Sequence, residues 1–69
     1  MKISARNVIA GTVKSVTPGV VNAEIVIELP SGQEIVSVIT RSSAEKLELT
    51  VGKSVSAIIK SSDIIIGVE

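Results

Sequence analysis

The 69-residue sequence has no cysteine, no histidine and no Phe, Tyr or Trp. Without cysteine there is neither a disulfide nor a thiolate metal site. Without histidine the commonest nitrogen ligand for zinc, copper or nickel is missing, as is the usual general base. A serine nucleophile needs a base beside it, and only lysine remains for that part. This composition argues against an enzyme. Aromatic side chains are the platforms on which single-stranded nucleic acid stacks. Their absence, with seven basic against seven acidic residues, argues against nucleic acid or an anionic membrane surface as partner. No apolar run approaches the ~18 residues of a membrane span. Lys2 leads into a polar segment rather than the apolar stretch of a signal peptide, so a cytoplasmic location is expected.

What is abundant is aliphatic surface. Hydrophobic residues make up 45% of the chain and mean hydropathy is +0.56. A chain this short forms one small domain, residues 1–69, and buries too little of its own surface to be more than marginally stable alone. With disulfide and metal excluded, association with other copies is the remaining source of stability, and the excess of aliphatic side chains fits it.

The hydrophobic pattern has a period of two. Val21, Ala23, Ile25, Ile27 and Leu29 alternate with Asn22, Glu24, Val26 and Glu28, which predicts a half-buried strand. Glu24 and Glu28 fall on its solvated face. Pro30-Ser31-Gly32-Gln33 breaks the run as a turn, with Gly32 free to take positive φ. Residues 34–40 form the return strand. Upstream, residues 8–16 form a strand ended by Thr17-Pro18-Gly19, in which Gly11 marks a bulge or a close backbone contact. Ser42 and Glu45 have the spacing of a capping box and open a helix of two turns at most, closed by Thr50-Val51-Gly52. Residues 54–60 and 64–68 supply a fourth and a fifth strand, joined tightly by Ser61-Ser62-Asp63. Three strands, a short helix and two strands is the order of an all-β, five-stranded OB-like barrel.

Three clusters combine a cation with small polar groups at the ends of these runs: Ile3-Ser4-Ala5-Arg6-Asn7, Thr40-Arg41-Ser42-Ser43 and Lys60-Ser61-Ser62. They offer hydrogen-bond donors and positive charge, with little that is nucleophilic or metal-ligating. A tetrahedral dianion such as molybdate or sulfate carries no proton at neutral pH, so its site should present donors only. Arg6, Thr40, Ser43, Lys60 and Ser61 are such donors. Ser43 also lies in the first helical turn, where free N–H groups favour an anion. Each has an ordinary structural use: Arg6 in a surface salt bridge, Ser42 or Ser43 as a helix cap, Thr40 as a strand-former, and Asn7 or Asn22 bonded to local backbone. Their joint occurrence favours an oxyanion site. The clusters lie far apart in sequence, so fold closure or subunit contact must gather them.

Ser4-Ala5-Arg6-Asn7, Gly11-Thr12-Val13, Gly19-Val20-Val21-Asn22-Ala23-Glu24, Ile39-Thr40 with Ser43, and Ile59-Lys60-Ser61 resemble the molbindins. These are small bacterial molybdate-binding proteins made of one Mop (TOBE-type) domain. The resemblance runs from about Ile3 to Val68 and extends to C-terminal domains of molybdate-responsive regulators and molybdate-transporter ATPases. It implies an OB-like barrel assembled as a homohexamer, a trimer of dimers, with oxyanion sites between subunits. It implies one class of site at Ser4, Arg6, Thr40, Ser43, Lys60 and Ser61, and a second, mostly backbone, around Val20, Asn22 and Ala23. The expected function is storage and homeostasis of molybdate, with tungstate as the alternative ligand. A molybdenum-pterin ligand is a competing reading, less natural without aromatics to stack the ring. A purely structural oligomerisation module is another.

Overall fold

A computed structural model describes the whole chain, Met1–Glu69. Its elements are β1 (Asn7–Pro18), β2 (Asn22–Glu28), β3 (Glu34–Thr40), α1 (Arg41–Lys46) and β4 (Ser54–Ile59), followed by a 3-10 turn at Ser61–Asp63. The strands form one antiparallel sheet in the order β3-β2-β1-β4. β1 serves two partners. Residues 7–12 pair with β4 and residues 12–18 with β2, and this hand-over curls the sheet into a half-barrel. Gly11 sits at the hand-over. A Cβ there would lie 2.5 Å from Cγ2 of Ile27 and 2.9 Å from the carbonyl oxygen of Glu28. Only glycine lets β1 approach β2 so closely.

The alternation in β2 works as expected. Ala23, Ile25 and Ile27 are buried and join Val13, Ala44 and Ala57 in the core, while Asn22, Glu24 and Glu28 stay exposed. Gly32 takes φ +90° in the hairpin turn, where Leu29 and Gln33 are bonded through backbone at 2.8 Å. Ala44 is the one residue of α1 that reaches the core.

Three expectations need correction, and the two alternatives at Gly11 are resolved. The strand count is four, because residues 64–68 pair with nothing. In the single chain Ile65, Ile66 and Val68 are 93%, 81% and 94% exposed. With no fifth strand, β3 and β4 remain open edges and the barrel does not close. The helix cap is Thr40, not Ser42: its extended backbone (φ −68°, ψ 147°) ends β3 and its side chain accepts the N–H of Ser43. The bulge lies at Lys14, where the β1–β2 register shifts between Val13 and Ser15, so Gly11 marks close approach alone. Finally, β2 begins at Asn22 rather than Val21, since residues 19–22 form a turn closed by the Gly19 N–H on the Asn22 carbonyl at 2.7 Å.

Candidate oxyanion site

The antiparallel register of β1 and β4 determines what meets at their open end. Asn7 pairs with Ile59, so Arg6 and Lys60 are the first residues beyond the last pair on the two strands. Both are exposed. Of the seven cations, Lys14 is paired with Glu28 and Glu34, Arg41 with Glu45, and Lys53 with the Leu47 and Glu48 carbonyls, while Lys2, Arg6, Lys46 and Lys60 form no ion pair. The Arg6 and Lys60 side chains have no acidic partner within 4 Å and no hydrogen bond within the chain. The fold thus leaves two uncompensated cations at this end of the sheet.

Asn7 ties this end together. Its Nδ2 donates to the Ile59 carbonyl at 3.3 Å and to Oγ of Ser61 at 3.4 Å. Because the Ser61 oxygen accepts from Asn7, its own hydroxyl proton is left for another acceptor. Ser4 is exposed and makes no hydrogen bond within the chain, so it too keeps its donor. Arg6 and Lys60 thus lie directly beyond the terminal Asn7–Ile59 pair, Asn7 holds Ser61 there, and Ser4 lies two residues before Arg6 in sequence.

Thr40 and Ser43 lie elsewhere. The Thr40 hydroxyl donates to Oγ of Ser43 at 2.8 Å and accepts the Ser43 N–H at 3.0 Å. The Ser43 N–H is thus spent on the cap, correcting the expectation that it stays free for an anion, while the Ser43 hydroxyl proton remains available. These residues pack beside the 19–22 turn. The Arg41 N–H donates to the Val21 carbonyl at 2.8 Å, Nη1 of Arg41 reaches the Gly19 carbonyl at 3.4 Å, and Asn22 pairs with Thr40. The second expected group, Val20, Asn22 and Ala23, therefore adjoins Thr40 and Ser43. Val20 is 93% exposed, whereas the Ala23 side chain is buried and leaves only backbone to offer.

The two groups occupy opposite ends of the twelve-residue β1, on the order of 35 Å apart along the strand at ~3.3 Å per residue. No hydrogen bond joins one to the other. The chain alone does not assemble the six residues into one cage. Sequence reasoning missed Asn7, which braces Ser61, and Arg41, which pins the 19–22 turn. Both stood inside the clusters already singled out, but their roles depend on which carbonyls the fold places beside them.

Residues 3–66 match the TOBE domain family. The chain is 42% identical over 66 residues to molybdenum-pterin-binding protein 1 of Clostridium pasteurianum, covering 96% of this chain and 97% of that protein. It is 48% identical over 69 residues to the molybdenum transport protein ModE of Azotobacter vinelandii, of whose length it spans only 26%. Among solved structures, the cytoplasmic molybdate-binding protein ModG, with molybdate bound, superposes with a TM-score of 0.96 at 45% identity, covering all of this chain and 49% of that one. With its match to the domain spanning nearly its whole length and to a relative of its own size, the chain belongs to the TOBE-domain family, among its small Mop proteins, the molbindins.

Proposed function

We propose that this protein binds molybdate, and tungstate in its place, reversibly and without covalent chemistry, at junctions between copies of itself. The observation that carries the reading is the pair of unpartnered cations, Arg6 and Lys60, at the open end of β1 and β4. They offset the charge of a dianion, and Ser4 and Ser61 add hydroxyl donors beside them. Thr40 and Ser43, at the far end of the sheet, complete the cage from a neighbouring copy. No carboxylate is part of either group, which suits a ligand that only accepts hydrogen bonds. Phosphate, which keeps a proton near neutral pH, finds no acceptor there. Val20, Asn22 and Ala23 form a second, backbone-rich oxyanion site beside Thr40.

Association is supported by how little the chain buries alone. Only Val13, Ala23, Ile25, Ile27, Ala44 and Ala57 are buried, while Val20, Val21, Val36, Val38 and Val51 stand more than half exposed. A homohexamer built as a trimer of dimers would cover such surfaces. The role we infer is non-enzymatic storage and homeostasis of molybdenum in the cytoplasm by a single-domain protein; no helix is long and apolar enough to cross a membrane. A molybdenum-pterin ligand is favoured by the names of relatives. Isothermal titration with molybdate, tungstate, sulfate and phosphate tests the reading. Saturable binding of molybdate without pterin, tighter than phosphate, is expected. Heat only in the presence of a pterin would transfer the assignment to that ligand, and no binding at all would leave a structural module.

A further inference from the structure

We propose that Asn7 is a positioning residue for the oxyanion. Its side-chain amide holds the Ser61 hydroxyl as a hydrogen-bond donor, and so favours a fully deprotonated anion over one that keeps a proton, such as hydrogen phosphate. The inference rests on the reading of Arg6, Lys60 and Ser61 as ligands of molybdate. No carboxylate belongs to that group, but a serine hydroxyl carries two lone pairs and can accept as well as donate. A site that selects against a protonated anion therefore needs the serine oxygen occupied from within the chain.

Asn7 occupies it. This half-buried residue ends the β1–β4 ladder opposite Ile59. Its Nδ2 lies 3.3 Å from the Ile59 carbonyl oxygen and 3.4 Å from Oγ of Ser61. A carbonyl oxygen only accepts, so the amide must turn its NH2 group, not its Oδ1, toward Ile59. The same nitrogen faces Ser61, which fixes the polarity of that contact: the amide donates and Oγ accepts. Asn7 and Ser61 are 54 residues apart, so the β1–β4 register makes the contact, not a local turn. The Ser61 carbonyl is engaged as well. It opens the 3-10 turn Ser61–Asp63 and accepts the Ile64 N–H at 3.4 Å. What the exposed Ser61 side chain retains is its hydroxyl proton, one residue from Lys60. Ser4 makes no hydrogen bond within the chain and can serve either form of anion, so the discrimination rests on Ser61.

The test is calorimetric titration of the full chain with molybdate and with phosphate at neutral pH, on the parent, Asn7→Ala, Ser61→Ala and the double variant. Asn7→Ala is expected to weaken molybdate binding roughly 2- to 12-fold, the range of one hydrogen bond, and to leave phosphate unchanged or tighter. In the Ser61→Ala background the same substitution should change molybdate affinity less than about twofold, because a residue that acts through another is not additive with it. Equal losses in both backgrounds would show Asn7 acting without Ser61 and would overturn the proposal. So would equal weakening of both anions by Asn7→Ala. Lys60→Met separates this failure from failure of the oxyanion site itself. If Lys60→Met loses molybdate while Asn7→Ala does not, the site stands and the role of Asn7 falls. If neither variant alters binding, both fall. Should Asn7→Ala fail to fold, Asn7→Leu, of similar shape and without donors, takes its place in the cycle.

Discussion

Replacing Lys60 by methionine should move the stability of the ligand-free protein and its affinity for molybdate in opposite directions. Methionine keeps an unbranched apolar stem and removes the charge. Without ligand, Lys60 and Arg6 stand just beyond the last β1–β4 pair, Asn7–Ile59, with no carboxylate within 4 Å of either. A like-charge pair in that position costs ~0.2–1 kcal/mol, and exposure to solvent confines it to the lower half of that range. For a domain of this size ~1 kcal/mol shifts Tm by about 4–8 °C, so the variant should melt roughly 1–4 °C higher when empty. With molybdate the sign reverses. A hydrogen bond to a charged group contributes ~1.5–3 kcal/mol, which at ~1.4 kcal/mol per tenfold corresponds to binding weaker by roughly 10- to 150-fold. Thermal melts with and without molybdate, paired with calorimetric titration at low salt, read both quantities. Added salt should shrink both effects, because the Debye length is only ~10 Å at 0.1 M. A variant that melts lower when empty and binds molybdate as tightly as the parent would refute the reasoning.

Three further expectations concern the scaffold. Gly11→Ala should lower stability by ~1–3 kcal/mol, because the new Cβ meets the Glu28 carbonyl at 2.9 Å and backbone cannot yield as a side chain can. Gly67→Ala, with open space around it, is the control, and equal urea midpoints for the two variants would contradict the close approach. Glu48→Gly should raise stability by ~0.5–1 kcal/mol in the same assay: Glu48 holds φ +53° just after α1, a region costing a side chain ~1–2 kcal/mol, part of which glycine's greater unfolded freedom offsets. Lys14 should make stability fall at high pH. The Glu34 side chain, by hydrogen bond and charge, with Glu28 behind it, holds the Lys14 ammonium above the ordinary lysine value of 10.5. A raised folded value means the stabilisation is fully present below 10.5 and is lost as pH climbs through the folded value. The stability difference between parent and Lys14→Met should therefore shrink above pH 10.5, and a constant difference would show that the ion pairs contribute nothing.

Much of the fold was legible because burial imposes a period. Ala23, Ile25 and Ile27 announce β2, since a one-residue slip would turn all three to solvent, and Gly32 announces the hairpin turn. The same logic misled at residues 64–68. Their aliphatic pattern is that of a strand, yet a strand exists only beside an edge, and whose edge it meets is not written in the segment itself. Local chemistry was also degenerate at two points. Thr40 and Ser42 can each cap a helix, and the choice went to Thr40 because β3 pairing with Asn22 ends there in extended conformation. Glycine in a strand marks either a bulge or a close contact, and at Gly11 only the packing against Ile27 tells which. For the site, residue types revealed the donors, but the placing of Arg6 and Lys60 just beyond one strand pair follows from the β1–β4 register. So does the separation of that pair from Thr40 and Ser43.

Whether donors from the two ends of the sheet meet around one anion is tested most directly by an anomalous difference map at the molybdenum edge, from crystals grown with molybdate. The account predicts a peak within hydrogen-bond distance of Arg6 and Lys60 in one copy and of Thr40 and Ser43 in another. A peak bound entirely within one chain, or density absent from that junction, would contradict it.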